Sequence, residues 1–280
     1  MNSDKIRAFA ELSRPMNVAI TFVAIPVASI LSGGMPSQWL SIILGAVTGS
    51  LVAAGANAIN DFFDVEIDRI NRPDRPIPRG ALAPAEARNF WLTVSVVAIT
   101  LNIFINPLSL GIAVAAVVIL YYYSARFKAT VVAGNLVVAL MTGMAFVYGA
   151  GVVGHERWGI MPGIFAFLAN AAREVIKDVE DLEGDRRQGA GTLPVRFGVS
   201  AALWTATAIL VLLIATTAVA HLLGIYGNAF LYCVLGVDAA LVVVIVGIWR
   251  DPTPRAMGNY SQILKYCMIG GLAAIVAGSL

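Results

Sequence analysis

Nine long apolar stretches constrain the fold of this 280-residue chain more than any other feature of its sequence. Each stretch is close to the roughly 20 residues that an α-helix needs to cross the hydrocarbon core of a bilayer. Charged residues make up 13% of the chain, against about 25% in a soluble domain. We therefore predict an all-α polytopic membrane protein with about nine transmembrane helices. The predicted spans are residues 15–33, 39–62, 86–105, 108–124, 130–151, 158–178, 200–223, 226–249 and 259–279.

The composition also excludes several classes of protein. Hydrophobic residues make up 59% of the chain, which is incompatible with an intrinsically disordered protein or a disulfide-rich secreted scaffold. Cys233 and Cys267 lie inside apolar stretches, so we interpret them as small core residues. The net charge of +2 gives no sign of a nucleic-acid partner, and we expect none. The partner that the composition predicts is the membrane bilayer.

The basic residues predict the orientation in the membrane. With nine spans, one side holds the N-terminus and the loops after spans 2, 4, 6 and 8, and it receives 18 of the 19 Lys and Arg residues. The other side receives Arg157. Because cytoplasmic loops carry an excess of Lys and Arg, we expect the N-terminus and the basic loops to face the cytoplasm. The expected location is the plasma membrane.

Two acidic clusters with the same spacing end the second and the sixth spans. Positions i, i+3 and i+7 of a helix lie on one face, so each cluster predicts one stripe of carboxylates on one helix. Each member of the second cluster lies 117 residues after its counterpart, and this offset predicts an internal repeat of about four helices. The clusters are Asp61, Asp64 and Asp68, and Asp178, Asp181 and Asp185.

The repulsion between these carboxylates predicts a metal site. Two like charges about 4 Å apart repel by roughly 4 kcal/mol at an effective dielectric of 20. Mg²⁺ binds carboxylate oxygens together with substrate phosphates, so we interpret the stripes as two Mg²⁺ half-sites for a diphosphate. Asn57 and Glu174 extend the stripes into the bilayer. The alternative interpretation is a pair of solvated helix ends with ion pairs to Arg69, Lys177 and Arg186.

Basic segments follow the stripes. Residues 69–84 carry four prolines and four arginines, so they cannot continue the helix and they present cations beside the acids. Residues 186–198 are glycine-rich and basic in the same relative place. Arg14 and Asn17 begin the first span on the same side. Each of these segments also fits a simpler interpretation, as an ordinary cytoplasmic loop or helix end.

The acidic motifs resemble those of a known family. Asn60, Asp61, Asp64 and Asp68, the sequence NRPDRPIPRG that follows and the later DxxDxxxD are similar to motifs of the UbiA-type intramembrane prenyltransferases. The segment 123–128 matches the YSxxxK pattern of that family. Within the family, the sequence REVIKDVEDLEGDRRQGAGTLPVRFG is most similar to that of the digeranylgeranylglyceryl phosphate synthases.

The resemblance covers nearly the whole chain and implies one prenyltransferase domain over residues 1–280. Its repeat halves would lie at about 14–125 and 130–249 around a central cavity, with a final helix at 259–279. The resemblance also implies two Mg²⁺ ions, bound by the six aspartates and Asn57, and a prenyl diphosphate, expected to be geranylgeranyl diphosphate. The acceptor would be the hydroxyl of geranylgeranylglyceryl phosphate, and the product an ether-lipid precursor.

The resemblance also implies roles for side chains around the aspartates. Arg72, Arg75, Tyr123 and Lys128 would hold the remaining oxygens of the diphosphate. Cations would be needed for the acceptor's phosphate, and the candidates for them are Arg14, Arg173 and Lys177. The other expected substrate-binding residues are Asn17, Asn60, Ser124 and Glu174.

Two other functions stay open from the sequence. The same chemistry could act on an aromatic or quinone-precursor ring, or on a chlorophyllide-type or haem-type acceptor. The chain could instead be an ion or metabolite transporter, whose ionisable groups would be expected near the middle of the membrane. Asp238, near the middle of the eighth span, is the one acidic residue that favours a transporter.

Overall fold

The computed structural model describes residues 3–127, 130–131, 133–187 and 189–279, and the regular elements within these ranges are all helical. Short 3₁₀ turns lie at Pro36–Gln38 and Glu156–Gly159, and a π-helical turn lies at Tyr123–Phe127. The α-helices are α1 (Ser3–Ser13), α2 (Pro15–Leu31), α3 (Trp39–Phe63), α4 (Val65–Asn71), α5 (Pro84–Asn102), α6 (Pro107–Tyr122), α7 (Ala133–Val152), α8 (Ile160–Glu180), α9 (Leu182–Arg187), α10 (Leu193–Phe197), α11 (Val199–Leu222), α12 (Asn228–Arg250) and α13 (Pro254–Ser279).

The long helices coincide with the predicted apolar stretches. In the described part of the chain, seven helices are long and apolar enough to cross a membrane, or up to eight if α1 and α2 form one span bent by 57°. The predicted span at 86–105 corresponds to α5, which begins with polar and charged residues and is less apolar than the seven. The all-helical membrane fold is confirmed, and the predicted count of about nine is roughly consistent with these helices.

The chain divides into two compact units. The first comprises Met1–Arg126 and Ala145–Gly159, and the second comprises Phe127–Met144 and Ile160–Leu280. In the first unit α3 packs against α2, α5 and α6, and in the second unit α8 packs against α11 and α13. The repeat halves at 14–125 and 130–249 stay a prediction.

The interiors of the units are built from different side chains. In the first unit, Ile25, Ile42 and Val152 pack around Tyr148, whose hydroxyl donates a hydrogen bond to Asn102 Oδ1 at 2.9 Å. In the second unit the rings of Phe165 and Phe230 stack with centroids 6.1 Å apart. Other large apolar side chains point outwards, as expected where lipid covers the surface.

Both acidic clusters lie at a break between two helices. The helix α3 ends at Phe63 and α4 begins at Val65, so Asp64 is the residue between them, and Asp181 lies in the same way between α8 and α9. The prediction of one uninterrupted helix through each cluster is therefore wrong. The helical hydrogen-bond spacing nevertheless continues through both breaks, because the amide of Asp64 bonds to the carbonyl of Asn60 at 3.0 Å and that of Asp181 to Lys177 at 2.9 Å.

Candidate active site

The first unit buries its three aspartates almost completely. Asp61 lies in the last turn of α3, Asp64 at the break and Asp68 in α4, and they are 3%, 5% and 4% exposed. We call these residues the first carboxylate set. Because ionised carboxylates are costly to bury without compensation, positive or donor groups must lie beside them.

Two arginines and an amide compensate the first carboxylate set. Arg75 donates from one nitrogen, Nη1, to Asp61 Oδ1 at 3.1 Å and to Asp68 Oδ2 at 2.5 Å. Arg14 Nη2 donates to Asp61 Oδ1 at 2.5 Å, and Asn60 Nδ2 donates to Asp64 Oδ2 at 2.8 Å. The structure thus brings together Arg14, Asp61 and Arg75, which the sequence predicted separately. They come from the residue before α2, the end of α3 and the loop after α4.

Burial changes the protonation equilibrium of Asp68, which lies outside the membrane-spanning helices. Loss of hydration raises the pKa of Asp68 above its usual value, and the hydrogen bond from Arg75 opposes this rise.

Arg14 lies between α1 and α2 with φ of 54°, in the left-handed region that residues other than glycine seldom adopt. The ion pair with Asp61 therefore involves a residue in a backbone conformation of higher energy.

The donor set around Arg75 fits a divalent cation. Asp61 and Asp68 direct carboxylate oxygens at the same nitrogen, so two anionic oxygens converge on one position of positive charge. Within the described residues, three or more acidic, His or Cys side chains nowhere form a group arranged to hold a metal ion. Two carboxylates are nevertheless enough for Mg²⁺, which usually takes one or two of them together with water and substrate phosphates.

Two aspartates of the second unit accept hydrogen bonds from neutral side chains. Asp178 is near the end of α8, and its Oδ2 accepts a hydrogen bond from Asn135 Nδ2 of α7 at 2.7 Å. Asp185, in α9, accepts a hydrogen bond at Oδ2 from Thr192 Oγ1 at 2.9 Å. Asp181 is exposed. We call Asp178, Asp181 and Asp185 the second carboxylate set.

Asn135 and Thr192 were missed by the sequence analysis. Asn135 had a signal, since it is an amide inside the apolar stretch 130–151. Thr192 had none, because a threonine in a glycine-rich loop is ordinary and its contact with Asp185 depends on the turn after α9, where the amide of Ala190 bonds to the carbonyl of Asp185 at 2.9 Å. Thr192 precedes the short helix α10, which the sequence did not predict.

A row of polar residues continues from Asp178 along α8 towards its N-terminal end. Glu174 accepts a hydrogen bond from Arg173 Nη1 at 3.1 Å and one from Lys177 Nζ at 3.3 Å. Asn170, one turn further, is 6% exposed. Lys177 and Glu174 were predicted to bind substrate, and the structure shows that they pair with each other.

Two other predicted residues donate hydrogen bonds to backbone carbonyls. Asn57 Nδ2 donates to the backbone carbonyl of Ser13 at 2.9 Å, and Ser124 Oγ donates to that of Leu120 at 2.9 Å. Arg72 and Asn17 are exposed, Tyr123 is half-buried in the π-helical turn, and Lys128 lies outside the described ranges.

Asp238 lies on a helix that carries neither carboxylate set. It is on α12, and Thr217 Oγ1 of α11 donates to its Oδ2 at 3.0 Å. Its other carboxylate oxygen, Oδ1, is buried without a hydrogen-bond partner in the described part of the chain. Polar contacts between helices inside a membrane stabilise their packing, and this contact joins α11 to α12.

The model of the UbiA prenyltransferase family matches residues 18–263, which include all six aspartates. The chain belongs to the UbiA prenyltransferase family. Arg14 and Asn17 lie just before the matched region. The family resemblance predicted from the acidic motifs is confirmed.

Individual members of the UbiA family are similar over nearly their whole length. The digeranylgeranylglyceryl phosphate synthase of Methanopyrus kandleri is 37% identical over 275 residues, covering 98% of this chain and 100% of the relative. A solved structure of a digeranylgeranylglyceryl phosphate synthase has a TM-score of 0.84 at 29% identity, with 98% of each chain covered.

A second solved UbiA homologue shares the fold at lower sequence identity. The protein from Archaeoglobus fulgidus, solved bound to GPP and Mg²⁺, has a TM-score of 0.68 at 21% identity. The comparison covers 96% of this chain and 99% of the homologue. At 21% identity the comparison supports the fold of the chain and carries no argument about its substrate.

Proposed function

We propose that this protein catalyses the Mg²⁺-dependent transfer of a geranylgeranyl group from its diphosphate to the hydroxyl of geranylgeranylglyceryl phosphate. The product is an ether-linked precursor of membrane lipids. The observation that carries the proposal is the convergence of Asp61 and Asp68 on a single position of positive charge in a UbiA-family chain. The choice of acceptor is supported by the 37% identity to a digeranylgeranylglyceryl phosphate synthase over 98% of this chain.

Two Mg²⁺ ions are part of this proposal. The first carboxylate set and Asn57 would hold one ion, and the second carboxylate set would hold the other. Bound Mg²⁺ supplies Lewis-acid chemistry, since it neutralises the negative charge that develops on a leaving diphosphate. The Archaeoglobus fulgidus homologue was solved with GPP and Mg²⁺, and that supports a metal-bound diphosphate as the substrate of this fold.

Arg75 has two roles in the proposal. In the structure it neutralises Asp61 and Asp68. With a divalent ion on those oxygens, the guanidinium would release them and donate to the oxygens of the diphosphate, where arginine binds in a fork geometry. Arg72, Tyr123 and Lys128 are proposed to hold further oxygens of the diphosphate, and Asn60 keeps Asp64 oriented through its hydrogen bond at 2.8 Å.

The reaction breaks the bond between carbon 1 of the prenyl group and the diphosphate oxygen. The diphosphate leaves with the electrons of that bond. The oxygen of the acceptor's hydroxyl forms the new bond to the same carbon, and the hydroxyl proton passes to a base. The allylic cation that forms is stabilised by delocalisation and must be kept from water. The apolar helices of a membrane enzyme are suited to that exclusion of water.

We also propose a location and an orientation. The distribution of Lys and Arg supports an N-terminus in the cytoplasm, with both carboxylate sets at the cytoplasmic face of the plasma membrane. A cysteine-accessibility measurement at Asp4→Cys in intact cells tests this, because a cytoplasmic N-terminus is labelled only after the membrane is permeabilised.

The enzymatic proposal is tested with purified protein in detergent. The protein receives Mg²⁺, geranylgeranyl diphosphate and either geranylgeranylglyceryl phosphate or 4-hydroxybenzoate. We expect product from the glyceryl phosphate acceptor. Product from the ring acceptor alone would overturn the proposed acceptor, and product from neither would overturn the proposed activity.

Substitutions at the middle of each carboxylate set test the metal ligands. Asp64→Asn and Asp181→Asn should each abolish turnover and each reduce the number of bound Mn²⁺ ions, counted by electron paramagnetic resonance. The matched controls are Glu66→Gln and Glu183→Gln, since these acids are exposed on α4 and α9 and pair with Arg69 and Arg187. Wild-type turnover in either aspartate variant would remove that set from the metal site.

A further inference from the structure

The helix α8 carries a cation well inside its membrane-spanning length. Arg173 lies seven residues before the end of α8 at Glu180, which is about 10 Å at a rise of 1.5 Å per residue. An ionisable residue at such a position is costly in a membrane, and it indicates a functional site when it faces protein or a water-filled cavity. The side chain of Arg173 is 21% exposed, so most of it is covered by protein.

Two donors on this face of α8 lack an acceptor among the residues that the structure describes. Asn170 is 6% exposed, and its Nδ2 has no hydrogen-bond partner in the part of the chain that the structure describes. The Nε of Arg173 is buried and has no partner among the same residues. Residues three apart lie on the same face of a helix, so the two donors are neighbours. Because buried polar groups are nearly always hydrogen-bonded, the pair indicates an acceptor that arrives with a ligand.

The charges on this face favour an anionic ligand. Glu174 is the acceptor for both Arg173 and Lys177, at 3.1 Å and 3.3 Å. Two cations therefore share one carboxylate, and the three side chains together carry one net positive charge. Glu174 holds Arg173 through Nη1 and leaves Nε available.

We propose that Asn170 and Arg173 bind the phosphate monoester of the lipid acceptor. This inference rests on the proposed function, in which the acceptor is a glyceryl phosphate. Glu174, which accepts the hydrogen bond from Arg173, precedes Asp178 by four residues, so it lies on the same face of α8 at about 6 Å along the helix. That rise suits a ligand whose phosphate is separated by a short glycerol from the hydroxyl that reacts beside the metal-binding carboxylates.

The donors of Asn170 and Arg173 could also bind the donor diphosphate, but their position on α8 favours the phosphate of the acceptor. In the proposed function, the donor diphosphate would be bound through Mg²⁺ held by the aspartates and through Arg75 of the loop after α4. The two donors without acceptors lie instead beyond Glu174, away from Asp178 along α8. An acceptor lacking its phosphate would leave both donors buried and unpaired, which is how a polar site rejects the wrong ligand.

The test compares two acceptors in steady-state kinetics, geranylgeranylglyceryl phosphate and its alcohol, geranylgeranylglycerol. Arg173→Gln should raise KM for the phosphate acceptor about 10-fold to 100-fold, the loss expected for a charged hydrogen bond. KM for geranylgeranyl diphosphate and the rate with the alcohol should stay within about twofold. Asn170→Ala should raise KM for the phosphate acceptor about threefold to tenfold in the same selective way. Arg250→Gln, at an exposed helix end, is the control and should match the wild type.

A binding titration without Mg²⁺ or geranylgeranyl diphosphate separates this inference from the proposed function. Wild-type protein should bind the phosphate lipid at least tenfold more tightly than the alcohol, and Arg173→Gln should lose that preference. A preference that persists in both variants would overturn the assignment while leaving the enzymatic proposal intact. An equal rise of KM for both substrates would also overturn it, since it would show a role in the donor site or in folding. Absence of turnover in the wild type, with phosphate-selective binding retained, would overturn the function and leave the phosphate site standing.

Discussion

Replacing Arg75 by glutamine tests whether a metal ion and a guanidinium compete for the same carboxylates. The side chain of Arg75 is 17% exposed, and those of its partners Asp61 and Asp68 are 4% and 6% exposed. Removing one partner of a buried ion pair costs about 3–5 kcal/mol, because the other charge is left uncompensated. Arg14 still pairs with Asp61 in the variant, so we expect the lower end of that range.

The expected loss converts into a measurable change of thermal midpoint. Unfolding entropy of about 2.1 cal/mol/K per residue gives about 0.6 kcal/mol/K for a 280-residue chain. A loss of about 3 kcal/mol therefore lowers the midpoint by about 5 °C. A ligand present at 100 times its Kd restores about 2.7 kcal/mol, so Mg²⁺ should return most of the lost stability. In the wild type Mg²⁺ must first displace Arg75, and its stabilising effect should be smaller.

The assay is thermal unfolding of purified protein in one detergent, in EDTA and in Mg²⁺. Arg69→Gln is the matched control from the same segment, since its ion pair with Glu66 is exposed and should contribute under about 1 kcal/mol. The reasoning is refuted if Arg75→Gln unfolds at the wild-type temperature in EDTA. It is equally refuted if Mg²⁺ shifts the midpoints of variant and wild type by the same amount.

Three further substitutions probe contacts that the structure shows. Asn135→Ala removes the donor to Asp178, and we expect about a 10-fold to 100-fold higher Mg²⁺ concentration at half-maximal rate; an unchanged Mg²⁺ dependence would contradict a role in orienting the ligand. Arg14→Gly and Arg14→Ala both lose the ion pair with Asp61, but glycine adopts a φ of 54° more readily than alanine. The glycine variant should therefore be about 1 kcal/mol more stable in thermal unfolding, and equal midpoints would show that the backbone is not strained. Thr217→Val removes the hydroxyl that donates to Asp238, so the free energy of unfolding should fall by about 0.6–2 kcal/mol, and a changed KM for either substrate would show that this contact reaches the active site.

The fold was predictable because hydrophobic length is a local property of the sequence. Residues 226–249, for example, are apolar over a length sufficient to cross the membrane as a helix, and the structure has α12 at Asn228–Arg250. Polar ends made the limits of other spans less certain. Residues 86–105 contain the helix α5, but Glu86 and Arg88 begin it and lower its hydrophobicity.

The environment of each aspartate was not predictable from spacing. The spacing i, i+3, i+7 is kept because the helical hydrogen bonds continue through Asp64, even though the helix breaks there. Which cation reaches Asp61 depends instead on the turns after α4, which return Arg75 over a separation of 14 residues. It also depends on the break before α2, where Arg14 adopts its left-handed conformation. Both are features of the folded chain with no periodic signal in the sequence.

The two carboxylate sets share one spacing of aspartates but differ in the contacts that these side chains make. The aspartates recur at a constant offset, but the segments that follow them differ. The proline-rich segment 69–84 returns Arg75 onto the first set, whereas the glycine-rich segment 186–198 brings the neutral hydroxyl of Thr192 to Asp185. A cation that enters between Asp61 and Asp68 must displace the Arg75 guanidinium, whereas the hydrogen bonds described for Asp178 and Asp185 come from neutral side chains. Arg75→Gln leaves the contact of Arg14 with Asp61 and removes the guanidinium that Asp61 and Asp68 share, so its response to Mg²⁺ measures how far that guanidinium, rather than the aspartates, distinguishes the two sets.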